Sequence, residues 1–188
     1  MKRVAVAVAV LLMGITSLAF AQDGAPSHRD IGVGFHNVEA PLGIRWWINQ
    51  QKVGLDFGLG YSSTPAGSDP DESVTGFTFE FGVPFVIHSW ERTHVLLRPG
   101  LLYDSQEVGI GAGPAFDTRT ETTFAITGEL EAEVFLVDNV SFSAATGIAY
   151  QSVDPDIPGV DSQSSFGTIG SNFTNIGFHV YFLGGGGH

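Results

Sequence analysis

The stretch Thr75-Gly-Phe-Thr-Phe-Glu-Phe-Gly-Val-Pro-Phe-Val-Ile-His88 decides how the rest of the chain is read. Its odd positions are Phe77, Phe79, Phe81, Val83, Phe85 and Ile87; its even positions are Thr78, Glu80, Gly82, Pro84, Val86 and His88. A period of two is a β-strand with two unlike faces. A face carrying four phenylalanines must be covered, and the cover is either a protein core or lipid.

The same alternation recurs on both sides of this stretch. Ile31, Val33 and Phe35 form one apolar row, followed by Leu42, Ile44, Trp46 and Ile48, and then Val53, Leu55, Phe57, Leu59 and Tyr61. Beyond it come Val95, Leu97, Pro99, Leu101 and Tyr103 on a strand able to continue to Ile110. Phe124, Ile126, Leu130, Ala132, Val134 and Leu136 make the next row, then Val140, Phe142, Ala144, Ile148 and Tyr150. The segment 175–182 closes the series, giving an expectation of eight strands. Their connections alternate between loops at 36–41, 62–74, 111–120 and 153–164 and tight turns at 49–51, 89–93 and 137–139. An even number of such strands with this alternation predicts an all-β, eight-stranded antiparallel up-and-down transmembrane β-barrel over residues 30–182.

The N-terminus supports export. Met1-Lys2-Arg3 precedes an uncharged apolar run from Val4 to Ile15, and the small-x-small pattern ending at Ala21 fits cleavage there. Residues 1–21 read as a signal peptide and 22–29 as a polar leader. The apolar run is too short for a transmembrane anchor. Loss of Lys2 and Arg3 takes the formal net charge from −12 to −14, which argues against nucleic acid as a partner. The absence of cysteine excludes a disulfide framework, a thiolate metal site and an acylated N-terminal cysteine. The 25 glycines and 15 phenylalanines suit an all-β chain with many close backbone approaches.

A soluble barrel of the lipocalin type also alternates, with its apolar residues inward. Three features favour lipid. The polar faces carry Gly32, Gly34, Gly43, Gly54, Gly58, Gly60, Gly82, Gly100 and Gly147, which a solvated face does not need and a narrow lumen does. Trp46, Trp90 and Phe182 mark the turn side and Tyr61, Phe77, Tyr103 and Tyr150 the loop side, as interfacial girdles do. The apolar faces run for about nine to eleven residues, the length of a tilted bilayer crossing.

With these features in hand, the chain resembles the OmpA-like eight-stranded outer-membrane β-barrel family, also described as porin-family or opacity-type barrel domains. The resemblance covers Asp30 to Phe182. Its closing segment, Asn175-Ile-Gly-Phe-His-Val-Tyr-Phe182, is similar to the signal read by the barrel-assembly machinery, through Asn175, Gly177, Val180 and Phe182. Such signals usually end the chain, whereas here a Gly-rich tail, residues 183–188, follows. The resemblance implies a bacterial outer-membrane location in a Gram-negative envelope, extracellular loops and periplasmic termini. It also implies contact with outer-membrane lipid and lipopolysaccharide, a monomer, and no cofactor.

The inward faces carry charge. If Ile48 faces Val53, then Arg45 faces Asp56. Glu129, Glu131 and Glu133 share one face beside the strand bearing Arg98, and rise counted from the strand ends sets Arg98 level with Glu131 and Glu133. Glu80 joins them. An eight-stranded lumen is filled by side chains, so these groups read as a charged plug in a non-enzymatic barrel with a structural or surface-interaction role. A narrow pore for small solutes or ions is the alternative. A lipid-modifying enzyme is a second, for which His88-Ser89 is the adjacent pair available besides Ser27-His28; His88 is expected to point inward. His36, His94 and His179 are candidates for inward positions, and read as structural groups. Asp154, Asp156 and Asp161, like Asp69, Asp71 and Glu72, read as solvated loop acids, with no metal site expected.

Overall fold

The computed structural model describes residues 30–48, 52–66, 73–110, 117–157, 159–168 and 175–182. The expected signal peptide 1–21, the leader 22–29, the turn 49–51, the acidic group Asp69, Asp71 and Glu72, and the tail 183–188 lie outside these residues.

The alternating segments fold as β1 (Ile31–Phe35), β2 (Leu42–Ile48), β3 (Val53–Pro65), β4 (Ser73–Gly82) and β5 (Phe85–Ser89). They continue as β6 (Thr93–Ile110), β7 (Asp117–Val137), β8 (Val140–Asp154), β9 (Gln163–Thr168) and β10 (Asn175–Phe182). The sheet order is β10-β1-β2-β3-β4-β6-β7-β8-β9, and β10 pairs with both β1 and β8, so the sheet closes on itself. β4 and β5 share one stave and β9 and β10 another, so the ten segments make a closed eight-stranded antiparallel up-and-down barrel.

The stretch from Thr75 to His88 is broken where one strand is expected. Pro84 has no N–H to give to a ladder, and β4 stops at Gly82. The chain stays in the wall because Val83 N–H donates to Pro99 O (2.9 Å), Gly54 N–H to Pro84 O (2.9 Å) and Val86 N–H to Lys52 O (3.0 Å). In β5 the register shifts between Val86 and His88. This bulge turns His88 outward opposite Val95, with its ring 4.2 Å from that of Trp90, which corrects its expected inward position.

Three expected loops are shorter than their polar sequence suggests. Ser62 to Pro65 pair with Ser73 to Gly76, Asp117 to Thr120 pair with Glu107 to Ile110, and Val153 pairs with Gln163. These ladders leave the apolar zone and continue with polar residues on both faces. On β7 the outward row changes from Leu136, Val134, Leu130 and Phe124 to Thr122, Thr120 and Thr118. Phe124 lies opposite Tyr103, and Tyr61 opposite Phe77, so aromatic pairs mark the change. From Leu136 to Phe124 is about 40 Å of strand, or roughly 28 Å of height at a 45° tilt.

The faces are unlike in the sense opposite to a soluble barrel. Leu42, Ile44, Trp46, Leu130, Leu136 and Ile148 on outward positions are each at least 40 % exposed. Inward positions carry charge, hydroxyls and glycine, with one apolar layer at the turn end formed by Trp47, Leu96, Phe135 and Tyr181.

Candidate functional site: the charged lumen

Above the Trp47/Leu96/Phe135/Tyr181 layer, the lumen is filled by ion pairs. Ile48 lies opposite Val53, and the antiparallel register of β2 and β3 then places Arg45 opposite Asp56. Arg45 donates Nε and Nη2 to the two oxygens of Asp56, both at 2.7 Å. The other edge of its guanidinium reaches across the barrel to Glu131 on β7, at 2.8 and 2.9 Å. One planar cation is therefore clamped by two carboxylates, a geometry suited to arginine and not to lysine.

Arg98 occupies a different place from the one counted from the strand ends. It lies opposite Glu129, to which it donates at 2.9 Å, and not level with Glu131 and Glu133. The reason is stagger: Thr93 pairs with Val134, and β7 continues beyond that point to Val137, so equal counts from the two ends are not equal heights. Arg98 also donates Nε to Asp56 at 2.9 Å. Asp56 Oδ2 thus accepts from both arginines, joining into one network what the sequence suggests are two groups.

The remaining acids are held by neutral donors. Glu133 Oε1 accepts from Ser141 Oγ and from Tyr181 OH, each at 2.6 Å, while Oε2 lies 3.3 Å from Arg45 Nη1. Trp47 Nε1 in turn donates to Tyr181 OH at 3.3 Å. Glu80 accepts from Asn37 Nδ2 at 2.7 Å and approaches Arg98 Nη2 at 3.8 Å. Its Oε2 is 3.2 Å from His36 Nε2, which is also 2.9 Å from Arg98 Nη2. A guanidinium only donates, so the contact with Arg98 uses His36 Nε2 as acceptor, in the tautomer that carries the ring proton on Nδ1.

His36 and Asn37 come from the connection between β1 and β2, expected as a short exposed loop. It folds into the lumen instead, burying His36, Asn37 and Ala40. Asn37 Oδ1 accepts the Ala40 N–H at 2.6 Å, which holds the tip as a self-bonded turn. The room for it is made by glycine. A Cβ on Gly43 would lie 2.7 Å from His36 Cβ, and one on Gly58 would lie 2.8 Å from His36 Cδ2 and 3.0 Å from Ala40 Cβ. One on Gly60 would strike Glu39 O. The inward glycines of β2 and β3 are legible in the sequence; that they are the floor under a folded-in loop is not.

Other expected candidates do not converge. Ser89 lies opposite His94 and His88 opposite Val95, so the His88-Ser89 side chains leave opposite faces of the sheet. His94 and His179 are buried, His94 edge-on to Trp47 and Phe135, and both ring nitrogens of His179 have no hydrogen-bond partner among the described residues. Asp154 Oδ1 accepts the Asp156 N–H at 3.1 Å, an ordinary turn contact. Among the described residues no three His, Cys, Asp or Glu side chains converge as a metal-binding group. Of the expected assembly-signal residues, Asn175 and Gly177 border the lumen, while Val180 and Phe182 lie on the outward row.

No family model, curated protein or solved structure matches the chain.

Proposed function

We propose that this chain is an outer-membrane β-barrel of the OmpA-like type, exported by residues 1–21 and without enzymatic activity. The observation that supports this most is the inversion of its faces. Large apolar residues stand exposed around the outside, while Arg45, Asp56, Arg98, Glu129, Glu131 and Glu133 are each at most 5 % exposed within. An exposed apolar band continuous around the wall is incompatible with a monomer in water and is what a hydrocarbon phase solvates.

In this reading the turn end lies in the periplasm and the long polar ladders of β3–β4, β6–β7 and β8–β9 stand outside the cell. The lumen is a plug: its charges are cross-bonded and the β1–β2 connection fills the space over them. The protein's role is then carried by the projecting ladders, as a structural or surface-interaction element fixed in the membrane by the barrel. Detergent extraction of an outer-membrane fraction, followed by electrophoresis with and without heating, tests the reading. A heat-modifiable band released only by detergent is the expected result, and a band released by osmotic shock overturns it. Planar-bilayer recording separates plug from pore: a plug gives no sustained conductance.

A further inference from the structure

His36 Nε2 stands between two groups with opposite demands. Arg98 Nη2 lies 2.9 Å from it and can only donate. Glu80 Oε2 lies 3.2 Å from it and, as a carboxylate oxygen, can only accept. One ring nitrogen either offers a lone pair or carries a proton, so it serves one of the two at a time. All three residues are buried, so the partner left unserved has little water to turn to.

The two partners belong to different staves. Arg98 is on β6, Glu80 is on β4, and His36 begins the connection between β1 and β2. Arg98 is also held by Asp56 at Nε and by Glu129 at Nη1, both at 2.9 Å, so it stays in place when Nη2 is released. Glu80 already holds the connection through Oε1, which accepts from Asn37 Nδ2 at 2.7 Å. The other ionisable groups around the ring are Asp56 on β3, Glu129 and Glu131 on β7, Arg45 on β2 and His179 on β10. The centroid of the His179 ring is 6.3 Å from that of His36. β8 brings Ser143 and Ala145 to this space, neither of them charged. Carboxylates outnumber guanidiniums in this set, so a positive charge on the ring meets a net negative surrounding.

We propose that His36 is a proton-operated latch: unprotonated at Nε2 it ties the β1–β2 connection to Arg98 on β6, and protonated there it releases Arg98 and ties the connection to Glu80 on β4. Histidine is the side chain whose charge changes between about pH 5 and 8. In the acid form both oxygens of Glu80 grip the connection, one through Asn37 and one through a charge-assisted bond from His36. The proton favours the folded-in connection, so the hold is strongest at the acid end of that range and weakens as pH rises. The latch rests on the lumen's geometry alone and is independent of the membrane in which the barrel resides.

Nitrogen-15 NMR of the purified barrel in zwitterionic micelles, from about pH 8 to about pH 5, reads the latch. His36 Nε2 is expected to pass from an unprotonated to a protonated resonance, with the Arg98 Nη2 protons shifting at the same midpoint. The Asn37 and Ala40 amides are bonded within the connection, and their exchange, corrected for intrinsic rates, is expected to slow several-fold over that range. His36→Gln offers a carbonyl to Arg98 and an amide N–H to Glu80 together, and is expected to make exchange indifferent to pH. Glu80→Gln removes the acid-side partner and is expected to reverse the response, so that acid speeds exchange. If a variant does not fold, the wild-type titration still decides. An Nε2 that keeps one protonation state throughout overturns the proposal, as does wild-type exchange that ignores pH. Exchange that follows pH equally in His36→Gln overturns it as well, assigning the response to the lumen acids or to His179.

Discussion

Arg45 and Glu131, 86 positions apart in the chain, meet edge to edge across the lumen through two hydrogen bonds of 2.8 and 2.9 Å. The contact ties β2 to β7 through the interior, independently of the wall between them. Removing one member of a buried pair of this kind costs about 3–5 kcal/mol, because the other is left charged and unpaired. Arg45→Ala exposes Asp56, Glu131 and Glu133 to one another and should fall at the upper end of that range in urea unfolding. Adding Glu131→Gln should recover part of the loss, since the two sites share one contact. Strict additivity of the two changes would show that the lumen charges are simply hydrated.

The folded-in connection predicts an effect of volume at Gly58. Valine there places atoms where His36 and Ala40 lie, so the connection must shift or the strand must bend. Gly58→Val is expected to destabilise by about 1–3 kcal/mol and to raise bilayer conductance by loosening the plug. Gly128 is the control, because a Cβ there meets nothing within 4 Å. Gly128→Ala should change stability by no more than about 0.5 kcal/mol and leave the bilayer silent. Conductance that is the same in Gly58→Val and wild type would remove the connection from the barrier.

Phe81 tests the outer face. It lies opposite Phe57, with ring centroids 5.3 Å apart, and opposite Leu101 on its other side. Phe57 is midway between Val53 at the turn end and Tyr61 at the aromatic edge, so this row is near the middle of the apolar band. Phe81→Arg should destabilise the barrel in phospholipid vesicles by about 2–4 kcal/mol, and Phe81→Leu by less than half of that. Refolding yield against urea in vesicles measures both. An arginine tolerated as well as leucine would mean that this face does not meet hydrocarbon.

Outside the apolar band, Glu107 on β6 provides a pH-dependent contact. Its Oε2 accepts from the Thr75 hydroxyl at 2.7 Å and from the Thr75 N–H at 2.9 Å. These bonds, the hydroxyl's first, hold the carboxyl below its ordinary value of 4.5. A lowered carboxyl contributes stability that is fully present above its unfolded value and disappears as pH falls through the lowered one. The end of the β4–β6 ladder should therefore loosen only below about pH 4.5. Amide exchange at Thr75 should accelerate in that range in the wild type. In Glu107→Ala, which removes the acceptor of both bonds, it should be fast already at neutral pH. Exchange that does not change with pH in the wild type would show that the contact is not formed in solution.

The period of two made the eight staves legible, because outward residues have to be apolar over the whole height of the band. It also set Arg45 opposite Asp56, since the register of Ile48 and Val53, close together in the chain, carries directly to nearby positions. Longer-range relations were not legible. Arg98 came to Glu129 through a stagger that depends on how far β7 overshoots β6, and no local pattern encodes that overshoot. The upper ladders were hidden because strands in water need no alternation, so Asp117 to Thr120 read as loop. His88 turned outward through a one-residue register shift after Pro84, which a strict count of odd and even positions passes over. His36 was legible as a candidate for an inward position, but Asn37 and the folding-in of the whole connection were hidden, because a loop drawn inward by Glu80 has the composition of one left outside.

The five residues of β1 have a consequence for how the molecule is made. Ile31 lies opposite Phe182, so the first and last strands are hydrogen-bonded neighbours. No wall is complete until the C-terminal strand has emerged, and before that moment β1 and β8 each present a bare edge. Assembly is therefore a late event governed by a contact that spans nearly the entire polypeptide, the slowest kind of closure for a chain to find unaided. An N- or C-terminally truncated chain would not yield a smaller barrel. It would yield an open sheet with two reactive margins and a charged inner surface turned towards whatever surrounds it.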